Sequence, residues 1–162
     1  MIKKIIFICV ILITTLIMAS TRLPTDISAE DDSFPDFWAG GAVIDDYSNM
    51  NLEIFVTCDP NEIRDDIIRI TGNANIKITQ VEYSYNFLME AKDRISDKKS
   101  ELYEEIDSNP EIKELYGNIP VVAIDVVSNC VTIYVASNYD HVVDLFKKYI
   151  IDAPYVEFKL FE

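Results

Sequence analysis

Ala42-Val43-Ile44-Asp45 opens a stretch that runs to Val81, AVIDDYSNMNLEIFVTCDPNEIRDDIIRITGNANIKITQV, and the reading of this stretch decides the fold. Leu52-Glu53-Ile54-Phe55-Val56 is rich in β-branched and aromatic residues. The Ser48-Asn49 pair before it carries turn chemistry, so residues 42 to 56 read as a β-hairpin. Asp59-Pro60-Asn61-Glu62 is a helix start: Asp as cap, Pro where no donor is needed, Glu placed to bond back. Ile63, Ile67 and Ile70 then fall at i, i+4 and i+7, one apolar face of a helix. Gly72-Asn73 ends that helix, and Ile76 to Val81 reads as a closing strand.

The same order of strand, turn, strand, helix and strand returns from Val122 to Phe161. Val122-Ala123-Ile124-Asp125 falls on Ala42 to Asp45, and Ser128-Asn129 falls on Ser48-Asn49. One extra turn residue, Asn51, brings Val131-Thr132-Ile133-Tyr134-Val135 onto Leu52 to Val56. Asn138 takes the helix-start position, Val142, Phe146 and Tyr149 repeat the stripe, and Asp152-Ala153-Pro154 ends the helix. Agreement of turn, cap and stripe in register points to an internal duplication. The competing reading is a single α+β domain whose halves merely look alike.

The expected fold class is therefore α+β: two tandem ββαβ units over residues 34–83 and 118–162, each a small antiparallel sheet with one packed helix. Core residues are expected to include Val43, Ile54, Val56, Ile63, Ile67, Ile78, Ile124, Ile133, Val135, Val142 and Phe146. Residues 84–117 read as an amphipathic helical connector, with Leu88, Ala91, Ile95, Leu102 and Ile106 along one stripe. Lys98 and Lys99 interrupt the stripe, so its middle is expected to pack poorly. Asn109-Pro110 breaks the helix, and Pro110 starts a short one through Ile112 and Leu115. A partner-binding helix would carry the same stripe. Packing on its own domain is the preferred reading, because apolar stripes usually face a core.

Residues 1–20 form a targeting segment, with Lys3-Lys4 followed by an apolar run from Ile5 to Met18 that is short for a membrane span. A cleaved signal peptide and an uncleaved N-terminal anchor are the two readings. Either places the folded part outside the cell or on its surface, with membrane contact only through this segment. Residues 21–33 are polar and acidic and read as a disordered linker. The remaining length suits one compact domain or two very small lobes sharing a core.

The chain carries 28 Asp and Glu against 14 Lys and Arg, a net charge of −14. Such a surface repels nucleic acid and anionic lipid, and no basic patch is present to contact phosphates. A general solubility feature is the preferred reading of this acidity, and attraction of a basic protein partner is the alternative.

Catalytic chemistry is hard to assemble from these residues. The single histidine, His141, lies in the first turn of the second helix beside Asp140 and Asp144. A solvated helix start accounts for all three, and no Ser or Cys motif supplies a nucleophile. Asp45-Asp46 and Asp65-Asp66 lack the spacing of a Ca²⁺ loop. Asp45 and Asp125 are expected to cap their hairpin turns through backbone N–H groups. Gly40-Gly41 is not a phosphate loop, because neither a Lys nor a helix start follows it. No catalytic, metal-binding or cofactor-binding residue is assigned, and a non-enzyme is expected. Cys9 sits in the leader without lipidation context. Cys58 and Cys130 leave one disulfide open to an exported protein, although one ends a strand and the other sits at a hairpin turn, places that tend to lie apart.

Phe37-Trp38-Ala39-Gly40-Gly41-Ala42-Val43-Ile44-Asp45, followed by Leu52-Glu53-Ile54-Phe55-Val56-Thr57, resembles the opening of the prodomain of α-lytic-protease-like and streptogrisin-like serine proteases. It also resembles small secreted proteins of Gram-positive bacteria, of unknown function, that carry this unit without a protease. The resemblance covers about residues 34 to 85 directly, and the second copy only through the repeat. It implies a module that docks through β-sheet and a C-terminal tail, assisting and inhibiting a protease. The expectation is of a unit without its protease beyond Glu162, with the last strand consumed by the fold. The expected function is an exported non-catalytic binding module using an exposed sheet edge. The alternative is a trans-acting inhibitor or folding helper of a secreted serine protease.

Overall fold

A computed structural model describes residues 34–44 and 51–161. The expected leader, the acidic linker, and the turn bearing Asp45, Asp46, Ser48 and Asn49 lie outside the described residues. Among the described residues, no helix is long and apolar enough to cross a membrane. The chain divides into two compact units, one ending at Ser84 and the other beginning at Tyr85.

In the first unit, β1 (Trp38–Ile44) and β2 (Asn51–Val56) form the expected hairpin, followed by α1 (Pro60–Thr71) and β3 (Lys77–Gln80). The sheet order is β1-β2-β3. β1 pairs antiparallel with β2, with an irregularity between Trp38 and Gly40, whereas β3 pairs parallel to β2 with Ile54 opposite Ile78. The sheet is thus mixed and not purely antiparallel. The physical reason is the helix: a crossover through α1 reverses the chain twice, so β3 runs in the direction of β2.

The helix start is built as its residues dictate. Asp59 is extended and accepts from the Asn61 N–H at 2.9 Å, with Pro60 in the first helical turn. At the far end Gly72 sits at φ 66° and its N–H reaches the Ile68 carbonyl at 2.8 Å, a left-handed cap that favours glycine. Ile54, Val56, Ile67 and Ile76 are buried, Ile63 and Ile78 half-buried. The side chain of Val43 lies outside the described set.

Glu53, missing from the expected core, is buried on β2. Lys77 on β3 pairs with it at 2.9 Å, and the Thr79 hydroxyl donates to the same carboxylate. Burial alone raises the acid's pKa. The Lys77 and Thr79 bonds and the Lys77 charge outweigh burial and hold it below the usual glutamate value.

The second unit begins with α2 (Tyr85–Leu102), a 3₁₀ turn (Tyr103–Glu105) and α3 (Pro110–Asn118). β4 (Val121–Asp125), β5 (Cys130–Val135), α4 (Tyr139–Tyr149) and β6 (Val156–Leu160) follow. The order β4-β5-β6 repeats the first sheet, with β4 antiparallel and β6 parallel to β5. Ile133 stands opposite Phe158 as Ile54 stands opposite Ile78. Phe146 of α4 is fully buried and meets the Phe158 ring edge-on at 5.2 Å. Val142, Ile133 and Val135 are also buried, and Ile124 is half-buried.

The helices expected as a connector pack within this unit: α2 against β4 and β5, α3 against α4. Leu88, Ala91, Ile95 and Leu102 are buried, as the stripe predicts. Lys99 does not loosen the helix. Its ammonium donates to the Ile119 carbonyl at 2.7 Å and lies 4.7 Å from the centre of the Tyr116 ring. The stem covers apolar surface while the head keeps a polar partner. Asn109 caps α3 by accepting from the Glu111 and Ile112 N–H groups. Asn138 departs from expectation: it sits at φ 51° with no side-chain cap bond, and its amide donates to Glu114 at 3.0 Å. α4 therefore starts on a tertiary bond to α3 where a local cap was expected.

The register also corrects one equivalence. Ile44 stands opposite Asn51, and Asp125 opposite Cys130. By pairing, Asp125 corresponds to Ile44 and not to Asp45. More residues separate Ile44 from Asn51 than Asp125 from Cys130, and that longer connection displaces the strand by one position, which identity-based alignment does not see.

Phe146→Ala is expected to cost about 3–5 kcal/mol and Ile67→Ala about 2–5 kcal/mol, each read as a lowered urea midpoint. Gly72→Ala meets no atom within 4 Å, so its expected cost of about 1–2 kcal/mol comes from the backbone alone.

Candidate binding surface

Parallel pairing fixes which backbone groups of β6 face β5. The Val131 N–H donates to the Tyr155 carbonyl at 2.8 Å, and the Phe161 N–H to the Val135 carbonyl at 2.9 Å. Alternation then turns the groups of Glu157 and Lys159 toward β5 and those of Val156, Phe158 and Leu160 toward the open side. Among the described residues, two of these outward groups have partners. The Val156 N–H donates to the Ala153 carbonyl at 3.1 Å, and the Tyr139 hydroxyl donates to the Phe158 carbonyl at 2.8 Å. The edge keeps outward donors at Phe158 and Leu160.

Side chains beside this edge are apolar and accessible. Leu160 is 59% exposed and Phe161 51%. Phe161 meets Tyr134 edge-on at 6.3 Å. With Tyr139, Phe158 and Lys159 they line an open depression of about 610 Å³. The β3 edge of the first unit is less inviting, because it spans four residues with exposed polar ends, Lys77 and Gln80.

Lys159 is held by Asp125 at 2.8 Å. Asp125 also caps its own hairpin, accepting from the Val127 and Ser128 N–H groups at 3.1 and 3.0 Å. The Ser128 hydroxyl donates to its other oxygen. Burial pushes this carboxyl up, but the Lys159 and Ser128 bonds overcome it and hold its pKa at about 2. The expected turn cap is present, and it doubles as a tie from β4 across to β6. Sequence reasoning missed that tie, because Lys159 is 34 residues away.

The other residues singled out from sequence fall elsewhere. His141 lies 3.5 Å from Glu114 with its side chain 56% exposed, on a polar seam between α3 and α4. In the same seam Glu111 takes the Lys148 ammonium at 2.6 Å and the Tyr149 hydroxyl. Asp140 and Asp144 are exposed, and Asp66 pairs with Arg69 at 2.6 Å. Among the described residues, no three His, Cys, Asp or Glu side chains converge to hold a metal ion. Cys58 and Cys130 are free thiols. Burial is the largest influence on both and raises their pKa, the reverse of what a reactive thiolate needs. Gly40 sits at φ 130° in the irregular part of β1.

Residues 86–160 match a family described as a Pro-like C-terminal domain. No curated protein matches the chain. The matched span covers nearly all of the second unit, including α2 and α3. The residues that carry the sequence resemblance, Phe37 to Thr57, lie in the first unit. Both likenesses are to prodomain-like modules, and the family match over residues 86–160 specifies no protease.

The folded pKa of Asp125 lies below its unfolded value, so its contribution to stability is full above about pH 4 and is lost as pH falls toward 2. Asp125→Asn is expected to lower stability by about 1–2 kcal/mol at neutral pH. The gap to the native chain should narrow as pH falls from about 4 through 2 and close only below that, as followed by urea unfolding across pH.

Proposed function

We propose that this chain is an exported, non-catalytic, prodomain-like module that binds a partner protein along the β6 edge. The observation that carries the reading is the coincidence of two things in one unit: the Pro-like match over residues 86–160 and an open strand edge beside an apolar depression. An incoming extended segment would find main-chain donors at Phe158 and Leu160, and the depression would accept an apolar side chain. The net charge of −14 favours a basic partner and disfavours nucleic acid. Export rests on Lys3-Lys4 and the apolar run from Ile5 to Met18.

A second reading is a trans-acting inhibitor or folding helper of a secreted serine protease. The Pro-like match supports it, since prodomains act on proteases. Recovery of a serine protease and its inhibition would select this reading over the first.

Immobilised full chain is expected to retain a secreted protein from culture medium, and Leu160→Pro is expected to lose it. Proline removes an outward donor and leaves the ladder to β5 intact. Retention unchanged by Leu160→Pro contradicts docking at this edge.

A further inference from the structure

The residues of β6 read Val156-Glu157-Phe158-Lys159-Leu160, an order that is self-complementary when reversed about Phe158. Antiparallel pairing of two such edges on a two-fold axis at Phe158 sets Glu157 opposite Lys159 of a second copy, and Lys159 opposite its Glu157. Val156 then stands opposite Leu160, and Phe158 opposite itself. The same alternation that leaves Val156, Phe158 and Leu160 with outward backbone groups makes these the positions that exchange hydrogen bonds in such a pair. We propose that β6 is the interface through which this chain pairs with a second copy of itself, edge to edge, and that Tyr139 keeps the pair weak.

The arithmetic of donors and acceptors supports this register. Each Phe158 N–H meets the other Phe158 carbonyl, and each Leu160 N–H meets the other Val156 carbonyl. The remaining outward donor, the Val156 N–H, is already satisfied by Ala153 at 3.1 Å, so it is not left wanting. Charge complementarity selects the second copy as occupant. An acid and a base flank the centre at equal distance, and reversal brings unlike charges together at both places. Lys159 already serves Asp125 at 2.8 Å, but an ammonium has three donors and can serve a second carboxylate. The exposed Leu160 gives the pair apolar contact at each end.

The Tyr139 hydroxyl lies on the central acceptor, the Phe158 carbonyl, at 2.8 Å. Pairing makes the second copy compete with this hydroxyl, twice per dimer. Tyr139 thus restrains an edge that is otherwise open to uncontrolled strand addition. The inference stands on the strand's own residues and needs no partner of the proposed function. Self-pairing and partner binding would exclude each other at this edge.

Sedimentation of the full chain over a range of concentrations tests it, with circular dichroism to establish that each variant folds. The native chain is expected to show a monomer–dimer equilibrium. Glu157→Lys places like charges opposite each other at both positions and should weaken the dimer by about tenfold or more. Leu160→Pro removes two of the four exchanged donors without altering charge and should do the same. Tyr139→Phe should tighten the dimer by about fivefold. A native chain and Tyr139→Phe that both remain monomeric, or a dimer unmoved by Glu157→Lys and Leu160→Pro, would overturn the pairing. A dimer no tighter in Tyr139→Phe would overturn the restraint. The readout is mass alone, so failure of the pull-down from medium leaves it unaffected.

Discussion

The central strand of each sheet is the constraint from which the rest follows. In the second unit Val131, Ile133 and Val135 of β5 have no measurable exposure, and Thr132 between them has none either. A strand buried in this way must hydrogen-bond along both sides, since an unpaired buried peptide group costs more than most single contacts contribute. One side is satisfied by the hairpin partner next in sequence. The other can be reached only by a later strand, and the intervening helix makes that strand parallel. Among the described residues the sheet has three strands, and no fourth strand meets the outer side of β6.

Electrostatics ties the strands by different residues in the two units, centre to edge in the first and edge to edge across the centre in the second. Glu53 projects from the central strand and is met by Lys77 and Thr79 of β3. In the second unit the acid sits on the hairpin partner, and Asp125 reaches Lys159 of β6. Each pair links an outer strand to another strand, and in each the acid also holds a hydroxyl. The two units thus share strand order and parallel register while their polar ties have diverged, as expected where packing constrains a fold more tightly than any one ion pair.

Much of the fold was legible because its signals are local. Asp59-Pro60 and Asn109-Pro110 cap helices through side chains two or three residues away, and Gly72 stops a helix by its own backbone. The stripes Ile63-Ile67-Ile70 and Leu88-Ala91-Ile95 are properties of a period, visible without the partner surface. What escaped was long-range. The direction of the third strand depends on where a crossover lands. The role of Lys99 depends on Ile119 and Tyr116, and Asn138 looks like a cap until Glu114 is seen beside it. The β6 edge was foreseen only as some exposed edge. Which strand it is, and that Tyr139 sits on it, follow from pairing that the sequence does not spell out.

The account as a whole rests on β6 having one bonded side and one open side in fixed alternation. Amide hydrogen exchange, followed residue by residue in solution dilute enough to keep the chain monomeric, reads that alternation directly. The amides of Glu157, Lys159 and Phe161 should exchange slowly, and those of Phe158 and Leu160 fast. Uniform protection from Val156 to Phe161, or protection with the opposite alternation, would contradict it.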